Sequence, residues 1–146
     1  MKLRFLWVGK TRSAAAREMI ADYLQRVSHH ARVEVVEIRD RGVEKEGEEV
    51  LSRIGTEGFV VVADERGQDM TSGQFARLIE NHRLAATRRI TFILGGHAGV
   101  SEQVRQRADM LLRLSRMTLT HEMARIVLLE QVYRAFTIIH DLPYQK

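Results

Sequence analysis

Two short segments of the sequence combine the residue types that most often shape a small-molecule site. The first spans 95–99 and reads GGHAG, and the second spans 114–121 and reads LSRMTLTH. Each follows an apolar run that predicts a β-strand. Glycine lets a ligand lie against bare backbone because it has no Cβ, and the hydroxyl groups of the second segment supply hydrogen-bond donors and acceptors. Together the segments predict one binding pocket at the ends of two strands.

Three sequences that resemble known catalytic motifs fail on spacing. The GKT at 9–11 resembles the end of a phosphate-binding loop, but Arg4 stands where that motif requires its first glycine. His121 opens a run similar to a zinc-protease helix, but Arg125 occupies the place of the second histidine. The segment 95–99 lacks the GxGxxG spacing of a dinucleotide site. The chain has no cysteine, which excludes thiolate ligands and cysteine nucleophiles, and we expect no metal site.

Length and composition predict one globular domain, residues 1–146, with a phosphate-rich partner. The net charge of +4 comes mainly from arginine, which pairs with phosphate through two parallel N–H groups. This favours a nucleic acid partner, and a basic surface without such a partner is the alternative. An aromatic content of 6% argues against a stacking platform for single strands. With no membrane-length apolar run and no secretory signal pattern, we expect a cytoplasmic protein without membrane contact.

Strand-like and helix-like segments alternate along the chain, which predicts an α/β fold with a mostly parallel sheet and helices on both faces. Ligands bind such sheets beyond the carboxyl ends of the strands. The loops 64–67, 95–99 and 115–120 are expected there, although their order does not show that they meet. We interpret 39–47 and 64–69 as charged connections. The predicted strands are 2–9, 32–38, 58–63, 89–94 and 110–114, and the predicted helices are 14–27, 48–54, 71–84, 101–108 and 121–140.

The last predicted helix, 121–140, is apolar on two sides. One stripe includes Leu128 and Ile139, the other includes Ile126 and Phe136, and polar residues such as Arg125 interrupt them. A helix with two apolar sides needs two partners. One is the sheet of its own chain. We expect the other to be a second subunit, with deep burial inside one chain as the alternative.

Four segments taken together are similar to one protein family. They read VVVADERG at 60–67, FILGGHAG at 92–99, LSRMTLTH at 114–121 and LEQVYRA at 129–135. The similarity keeps its order from the first strand to the C-terminus, and the combination is specific although each piece alone is weak. The sequence resembles the ribosomal RNA large-subunit methyltransferase H family of the SPOUT class.

This resemblance implies a C-terminal trefoil knot, S-adenosyl-L-methionine bound in the knot loops and an obligate homodimer. It also implies methylation of N3 of a pseudouridine in 23S rRNA of the assembled ribosome. Spacing alone does not predict a knot, because knots are rare among folds. Two alternatives remain open. One is a non-enzymatic ribosome- or RNA-binding dimer of the same fold, and the other is a SPOUT methyltransferase that acts on tRNA.

The resemblance also assigns residues to roles. By position, it implies that Arg134 and Tyr144 are catalytic and that both contact RNA together with Lys146. Spacing alone interprets Glu130 and Arg134 as a solvent-facing pair one helical turn apart. The implied cofactor contacts are Ala63, Gly96, Ser115, Arg116, Met117, Thr118, Leu119 and Thr120.

Three features depart from the pattern that the resemblance implies. Thr120 stands in place of the usual proline, and Ala63 in place of the usual leucine, which leaves less apolar wall for the cofactor. The tail ends in Gln-Lys instead of His-Arg. Gln145 does not accept a proton as histidine does. The acceptor for the N3 proton is therefore open among solvent, a carboxylate of the ligand, His97 and His121.

Overall fold

A single five-stranded parallel sheet forms the centre of the protein in the computed structural model, which describes residues 1–144. The strands are β1 (Lys2–Val8), β2 (Arg32–Ile38), β3 (Phe59–Asp69), β4 (Arg89–Leu94) and β5 (Met110–Arg113). Their order across the sheet is β2-β1-β4-β3-β5. Every neighbouring pair is parallel, so the carboxyl ends of all the strands lie along the same edge.

Five helices connect the strands and cover both faces of the sheet. They are α1 (Ala14–Ser28), α2 (Val43–Ile54), α3 (Ser72–Leu84), α4 (Glu102–Arg107) and α5 (His121–Ile139). Helices α1, α3 and α5 pack in one apolar cluster, while α2 and α4 pack in a second cluster on the opposite face. This arrangement confirms the predicted parallel sheet with helices on both faces.

Strand β1 shows why the central strands are apolar at consecutive positions. Phe5 and Trp7 point into the cluster beneath α1, α3 and α5, whereas Leu6 and Val8 point into the cluster beneath α2 and α4. Successive side chains of a strand alternate between faces, and here both faces are buried. Phe5 stacks on Phe92 of the neighbouring strand with 5.4 Å between ring centroids. The two clusters fix the sheet that positions the loops at its carboxyl edge.

Helix α2 begins earlier than the sequence predicts. The sequence predicts a start at residue 48, but the helix begins at Val43, inside the segment 39–47 that we interpret from sequence as a charged connection. Glu46 is buried and its carboxylate accepts hydrogen bonds from the backbone N–H groups of Arg41 at 2.9 Å and Gly42 at 2.8 Å. Acidic side chains stabilise the positive end of a helix. The charges that suggested a turn therefore start the helix.

The interpretation of 64–69 as a connection is wrong, because β3 continues to Asp69. Leu112 of β5 pairs with both Ala63 and Gln68, so residues 64–67 leave the ladder between two paired stretches. Gly67 passes so close to β5 that a Cβ there would lie 2.6 Å from the carbonyl carbon of Leu111. This excursion brings charged residues to the carboxyl edge without ending the strand.

Helix α5 lies against both α1 and α3; half of its apolar residues are buried within the chain, and most of the others are partly buried. Its second apolar stripe is thus largely covered by its own neighbours, while Met123 and Ile138 are 46% and 38% exposed. The second subunit stays a prediction. Arg125, which sequence reasoning placed among the polar interruptions, is 0% exposed. Its burial was not predicted, and its guanidinium has polar partners inside the protein.

Candidate functional site

A cavity of about 680 Å³ opens at the carboxyl edge of the sheet. Its walls come from the excursion of β3, the loop after β4, the loop after β5 and the first turn of α5. This volume lies within the range of small-molecule sites. The structure thus brings together the three loops that the sequence singled out. The lining includes every residue that the resemblance assigned to the cofactor: Ala63, Gly96, Ser115, Arg116, Met117, Thr118, Leu119 and Thr120.

The glycines of the loop 95–99 are required by the packing of the loop itself. Gly99 has a φ of +81° and donates its N–H to the carbonyl of Gly96 at 3.0 Å. A Cβ on Gly95 would lie 2.4 Å from the carbonyl oxygen of Gly99, and one on Gly96 would lie 3.3 Å from Cγ1 of Val8. The loop therefore folds tightly over the end of β1. His97 lies at its exposed tip and lines the cavity.

The loop 115–120 holds its shape through its own hydroxyl groups. Ser115 Oγ accepts a hydrogen bond from the N–H of Met117 at 3.0 Å. Thr120 is the N-cap of α5 and accepts from the N–H of Met123 at 3.2 Å. Where the resemblance implies a proline, this chain thus has a side chain that caps the helix. His121, the other candidate proton acceptor, is the first residue of α5 and also lines the cavity.

An ion pair that sequence reasoning missed lies in the cavity wall. Arg105 of α4 donates from Nε to Oδ2 of Asp64 at 2.6 Å, and the Asp64 side chain is only 4% exposed. The hydrogen bond with Asp64 raises the pKa of Arg105, whose charge is therefore permanent. Asp64 follows the apolar run 58–63 of the sequence, and this position at the end of a predicted strand is the signal that could have identified it as a site residue. Its partner lies on another element, so spacing does not reveal the pair.

A second charged cluster fastens the loop 115–120 to the far end of β3. Asp69 accepts from Arg113 Nε at 2.8 Å and Nη2 at 2.6 Å, and from Arg116 Nε at 3.1 Å. These hydrogen bonds, chiefly those from Arg113, lower the pKa of Asp69 from 3.8 to about 2. We call Asp69, Arg113 and Arg116 the loop clamp. Both arginines also line the cavity.

The residues that the resemblance assigned to catalysis form a separate group, the tail cluster of Tyr23, Glu130, Arg134 and Tyr144. Glu130 accepts from Arg134 Nη2 at 2.8 Å and from the Tyr144 hydroxyl at 2.9 Å. The Tyr144 hydroxyl lies 3.2 Å from that of Tyr23, and the Arg134 guanidinium lies 4.9 Å from the centroid of the Tyr144 ring. The Glu130–Arg134 pair is half-buried in this network, so its interpretation as solvent-facing is wrong.

The shifted pKa values in the tail cluster limit the proton-transfer roles of Arg134 and Tyr144. Burial, followed by hydrogen bonds with Tyr23 and Glu130, raises the pKa of Tyr144 above its usual range. The hydrogen bond with Glu130 also raises the pKa of Arg134. The phenol is therefore protonated and the guanidinium charged at neutral pH. Both can donate hydrogen bonds, and neither is a base. Lys146, assigned to RNA contact, and Gln145 lie outside the described residues.

The tail cluster and the cavity lie at opposite ends of α5. Neither Arg134 nor Tyr144 is among the residues that line the cavity. At 1.5 Å per residue, Arg134 lies about 20 Å along the helix from His121. Among residues 1–144, no group of metal-binding side chains is placed to hold a metal ion. No helix in that part of the chain has the length and apolar character needed to cross a membrane.

Comparison with known proteins gives a full-length match. Residues 1–145 match the family model described as "Predicted SPOUT methyltransferase". The chain is 42% identical over 153 residues to the ribosomal RNA large subunit methyltransferase H of Syntrophotalea carbinolica, with 99% of this chain and 98% of that protein covered. The chain belongs to the ribosomal RNA large subunit methyltransferase H family. This membership confirms the resemblance drawn from the four sequence segments.

Solved structures of two other methyltransferases share the fold of this family member at low sequence identity. A tRNA methyltransferase from Aquifex aeolicus matches with a TM-score of 0.53 and 19% identity, over 92% of this chain and 70% of that chain. The SpoU methyltransferase AviRb from Streptomyces viridochromogenes, crystallised with AdoMet, matches with a TM-score of 0.50 and 18% identity, over 90% of this chain and 56% of that chain. These likenesses support the fold alone.

Proposed function

We propose that this chain is an S-adenosylmethionine-dependent methyltransferase that modifies N3 of a pseudouridine in 23S rRNA of the assembled ribosome. Family membership supports the reaction class and the rRNA substrate. The observation that carries the proposal is the convergence of Ala63, Gly96 and 115–120 on one cavity. These residues are far apart in the sequence and come together only in the folded chain. An enzyme with this substrate acts in the cytoplasm.

The cavity suits a nucleoside joined to an amino acid. Leu94, Leu119 and Ala124 offer apolar surface for a base, while the loops 95–99 and 115–120 offer backbone donors and acceptors. When bound, S-adenosylmethionine supplies an electrophilic methyl group. The protein holds the reacting groups in line and excludes water. Such positioning accounts for much of the acceleration in methyl transfer. We assign this positioning to the two loops, fixed by the loop clamp and by the Thr120 cap.

Methylation at N3 also requires that the N3 proton leave. Tyr144 and Arg134 serve as hydrogen-bond donors that orient the base and a phosphate, because neither accepts a proton at neutral pH. His97 and His121 line the cavity and are the side chains we propose as acceptors, with solvent and a ligand carboxylate as the alternatives. No metal enters this scheme.

We further propose that the active unit is a homodimer with a shared site. A single chain places Arg134 about 20 Å along α5 from the start of the cavity, which is too far for one base to contact both. A second copy resolves this if the partner's Arg134 approaches the cavity. The exposed Met123 and Ile138 of α5, together with Met19 of α1, offer apolar surface for that contact. We also propose that 95–139 is threaded as the trefoil knot implied by the resemblance.

Methyl transfer to ribosomes tests the proposed function. Labelled methyl groups are offered with assembled large subunits, naked rRNA and tRNA, all from a strain lacking the modification. We expect labelling of the subunits. Thr118→Trp fills the cavity at an exposed position and should abolish both labelling and cofactor binding measured by calorimetry. Thr56→Trp is the matched control, because Thr56 is exposed and precedes the amino end of β3, away from the cavity.

The same assay separates the alternatives. Labelling of tRNA alone would identify a different substrate, and cofactor binding without any labelling would contradict the proposed activity. A protein that binds no cofactor but binds subunits is the non-enzymatic dimer.

Complementation between variants tests the shared site. Thr118→Trp lacks a usable cavity, and Arg134→Ala lacks the guanidinium of the tail cluster. Homodimers of either variant should be inactive. Mixed dimers have both parts intact at one of their two sites. Purified mixed dimers should therefore regain about half of parental activity, and the refolded mixture about a quarter. Absence of recovery in dimers verified by mass would contradict a site built from two chains.

A further inference from the structure

The carboxyl edge of the sheet continues beyond the cavity to β1 and β2, and the loops there carry exposed basic residues. The loop after β1 contains Lys10 and Arg12, and the loop after β2 contains Arg39 and Arg41. None of these four side chains forms an ion pair with another residue in the range 1–144. This differs from the cavity wall, where Arg105, Arg113 and Arg116 are all paired with carboxylates.

The two basic loops adjoin each other and the cavity. The N–H of Gly9 donates to the carbonyl of Ile38 at 2.7 Å, and a Cβ on Gly9 would lie 3.9 Å from Cβ of Asp40. Strand β1 also neighbours β4, whose following loop forms part of the cavity wall. A Cβ on Gly96 of that loop would lie 3.3 Å from Cγ1 of Val8. The basic residues thus extend along one edge that ends at the cavity.

Two polar side chains of α5, the buried Arg125 and the partly exposed Glu122, hold the backbone of the first loop. Arg125 donates from Nη1 to Oγ1 of Thr11 at 2.8 Å and from Nη2 to the carbonyl of Val8. Glu122 accepts from the N–H groups of Arg12 at 2.9 Å and Ser13 at 3.2 Å. Because these contacts use backbone atoms and Thr11, the side chains of Lys10 and Arg12 are left to the solvent.

The second loop is held in the same way by Glu46, which accepts from the N–H groups of Arg41 and Gly42. The carboxylates of Glu46 and Glu122 are therefore occupied by backbone donors and do not pair with the basic side chains. Asp40 is the acidic residue exposed between Arg39 and Arg41. Because the backbone of both loops is already fixed, binding an anion costs the rotamer freedom of these side chains but little backbone entropy.

We propose that Lys10, Arg12, Arg39 and Arg41 form a basic ridge that binds phosphates of the RNA substrate beside the cavity. The proposal rests on the proposed function, since it supplies a docking surface for the same RNA. A row of unpaired cations leading to a ligand cavity suits a polyanion that must extend away from its reacting base. Phosphate contacts position the RNA without choosing its sequence, so base selection belongs to the cavity and the tail cluster.

The ridge is tested by methyl transfer to large ribosomal subunits with two paired variants, Lys10→Ala with Arg12→Ala, and Arg39→Ala with Arg41→Ala. Each should raise the KM for subunits by about tenfold or more, as expected when charge-assisted contacts are lost. The slope of log binding constant against log salt should fall by about 1 for each phosphate contact removed. Cofactor affinity by calorimetry and the dimer mass by light scattering should equal those of the parent.

The matched control is Arg32→Ala with Arg77→Ala, which removes equal charge from exposed positions at the amino end of β2 and on α3. If the ridge variants behave as this control does, the proposed contact between the ridge and RNA is wrong. The proposed function stands in that case, because the parent still labels the subunits. A ridge variant that loses dimer mass or cofactor affinity also overturns the proposal, since the loops then serve assembly or the cavity. A parent that labels no RNA contradicts the proposed function itself.

Discussion

Among single residues, Arg125 combines full burial with the absence of a hydrogen-bonded carboxylate within residues 1–144. Its guanidinium lies 5.1 Å from the centroid of the Trp7 ring and donates to Thr11 and to the Val8 carbonyl. Burial lowers its pKa, with Glu122 and Glu37 acting against that shift. A buried charge is costly, and here it is offset by hydrogen bonds and by the ring face. Those hydrogen bonds fix the turn that follows β1.

Replacing Arg125 with Met should destabilise the protein. The substitution leaves the Val8 carbonyl and the Thr11 hydroxyl without their donor, which costs about 1–3 kcal/mol for each buried unpaired group. Relief of the buried charge offsets part of that loss, so we expect a net decrease of about 1–3 kcal/mol in the free energy of unfolding. Urea titration at fixed protein concentration measures it. Thr11→Val removes one contact and should cost less, while equal or greater stability of Arg125→Met would refute the account.

The sequence predicted the residues that line the cavity, but it did not predict the charged side chains that hold the surrounding loops in place. Gly96 and 115–120 stand out locally, because glycine and hydroxyl residues cluster at predicted strand ends. Arg125 does not stand out, since helical periodicity reports a polar residue and not the partner that buries it. Asp64 and Arg105 meet across two elements, and such pairing is set by tertiary structure.

At the scale of elements, the loop clamp joins the end of β3 to the loop that follows β5. Its energetic contribution depends on pH, because the pKa of Asp69 is about 2 in the folded protein against an ordinary 3.8. A carboxylate whose folded pKa is lowered stabilises the fold above its unfolded pKa. That contribution is lost as pH falls from about 4 towards 2. The clamp thus holds the loop throughout the physiological range.

Acid titration with Asp69→Asn tests the clamp. The parent should be the more stable protein at pH 7, and its advantage should shrink between about pH 4 and pH 2 as Asp69 takes up a proton. Stability is measured by urea unfolding at each pH. Arg83→Gln breaks the exposed pair with Glu80 on α3 and serves as a control that leaves the titration of Asp69 unchanged. An advantage that does not vary with pH would contradict the assignment.

Considering the whole molecule, alternation of segments predicted the parallel sheet and its covering helices, but it did not predict the strand order. Placing β1 between β2 and β4 depends on pairing between residues such as Phe5 and Phe92, which lie far apart in the chain. The start of α2 and the continuation of β3 were missed because charged residues at helix starts and strand excursions look locally like turns. The knot rests on resemblance, the homodimer rests on resemblance and on the apolar surface of α5, and both stay predictions.

Mechanical stretching from Met1 to the C-terminus tests the knot. A linear chain extends by about 3.3–3.6 Å per residue. A knotted chain pulled from both ends tightens and retains residues within the knot, so its full extension should fall short of the linear value. A control chain pulled from Met1 and a position before 95 contains none of the proposed knot and should reach its full length. Full extension of the whole chain would show that it is not knotted.

Helix α5 also sets the distance and the rotation angle between the cavity and the tail cluster. It begins at the cavity wall with His121 and carries Arg134 near its other end. Each residue of an α-helix advances the axis by about 1.5 Å and turns it by about 100°. Adding or deleting one residue between the two ends would shift the guanidinium only slightly along the axis but would rotate it onto a different side. The number of residues between the cavity and the tail cluster therefore determines the side of α5 on which the tail cluster lies.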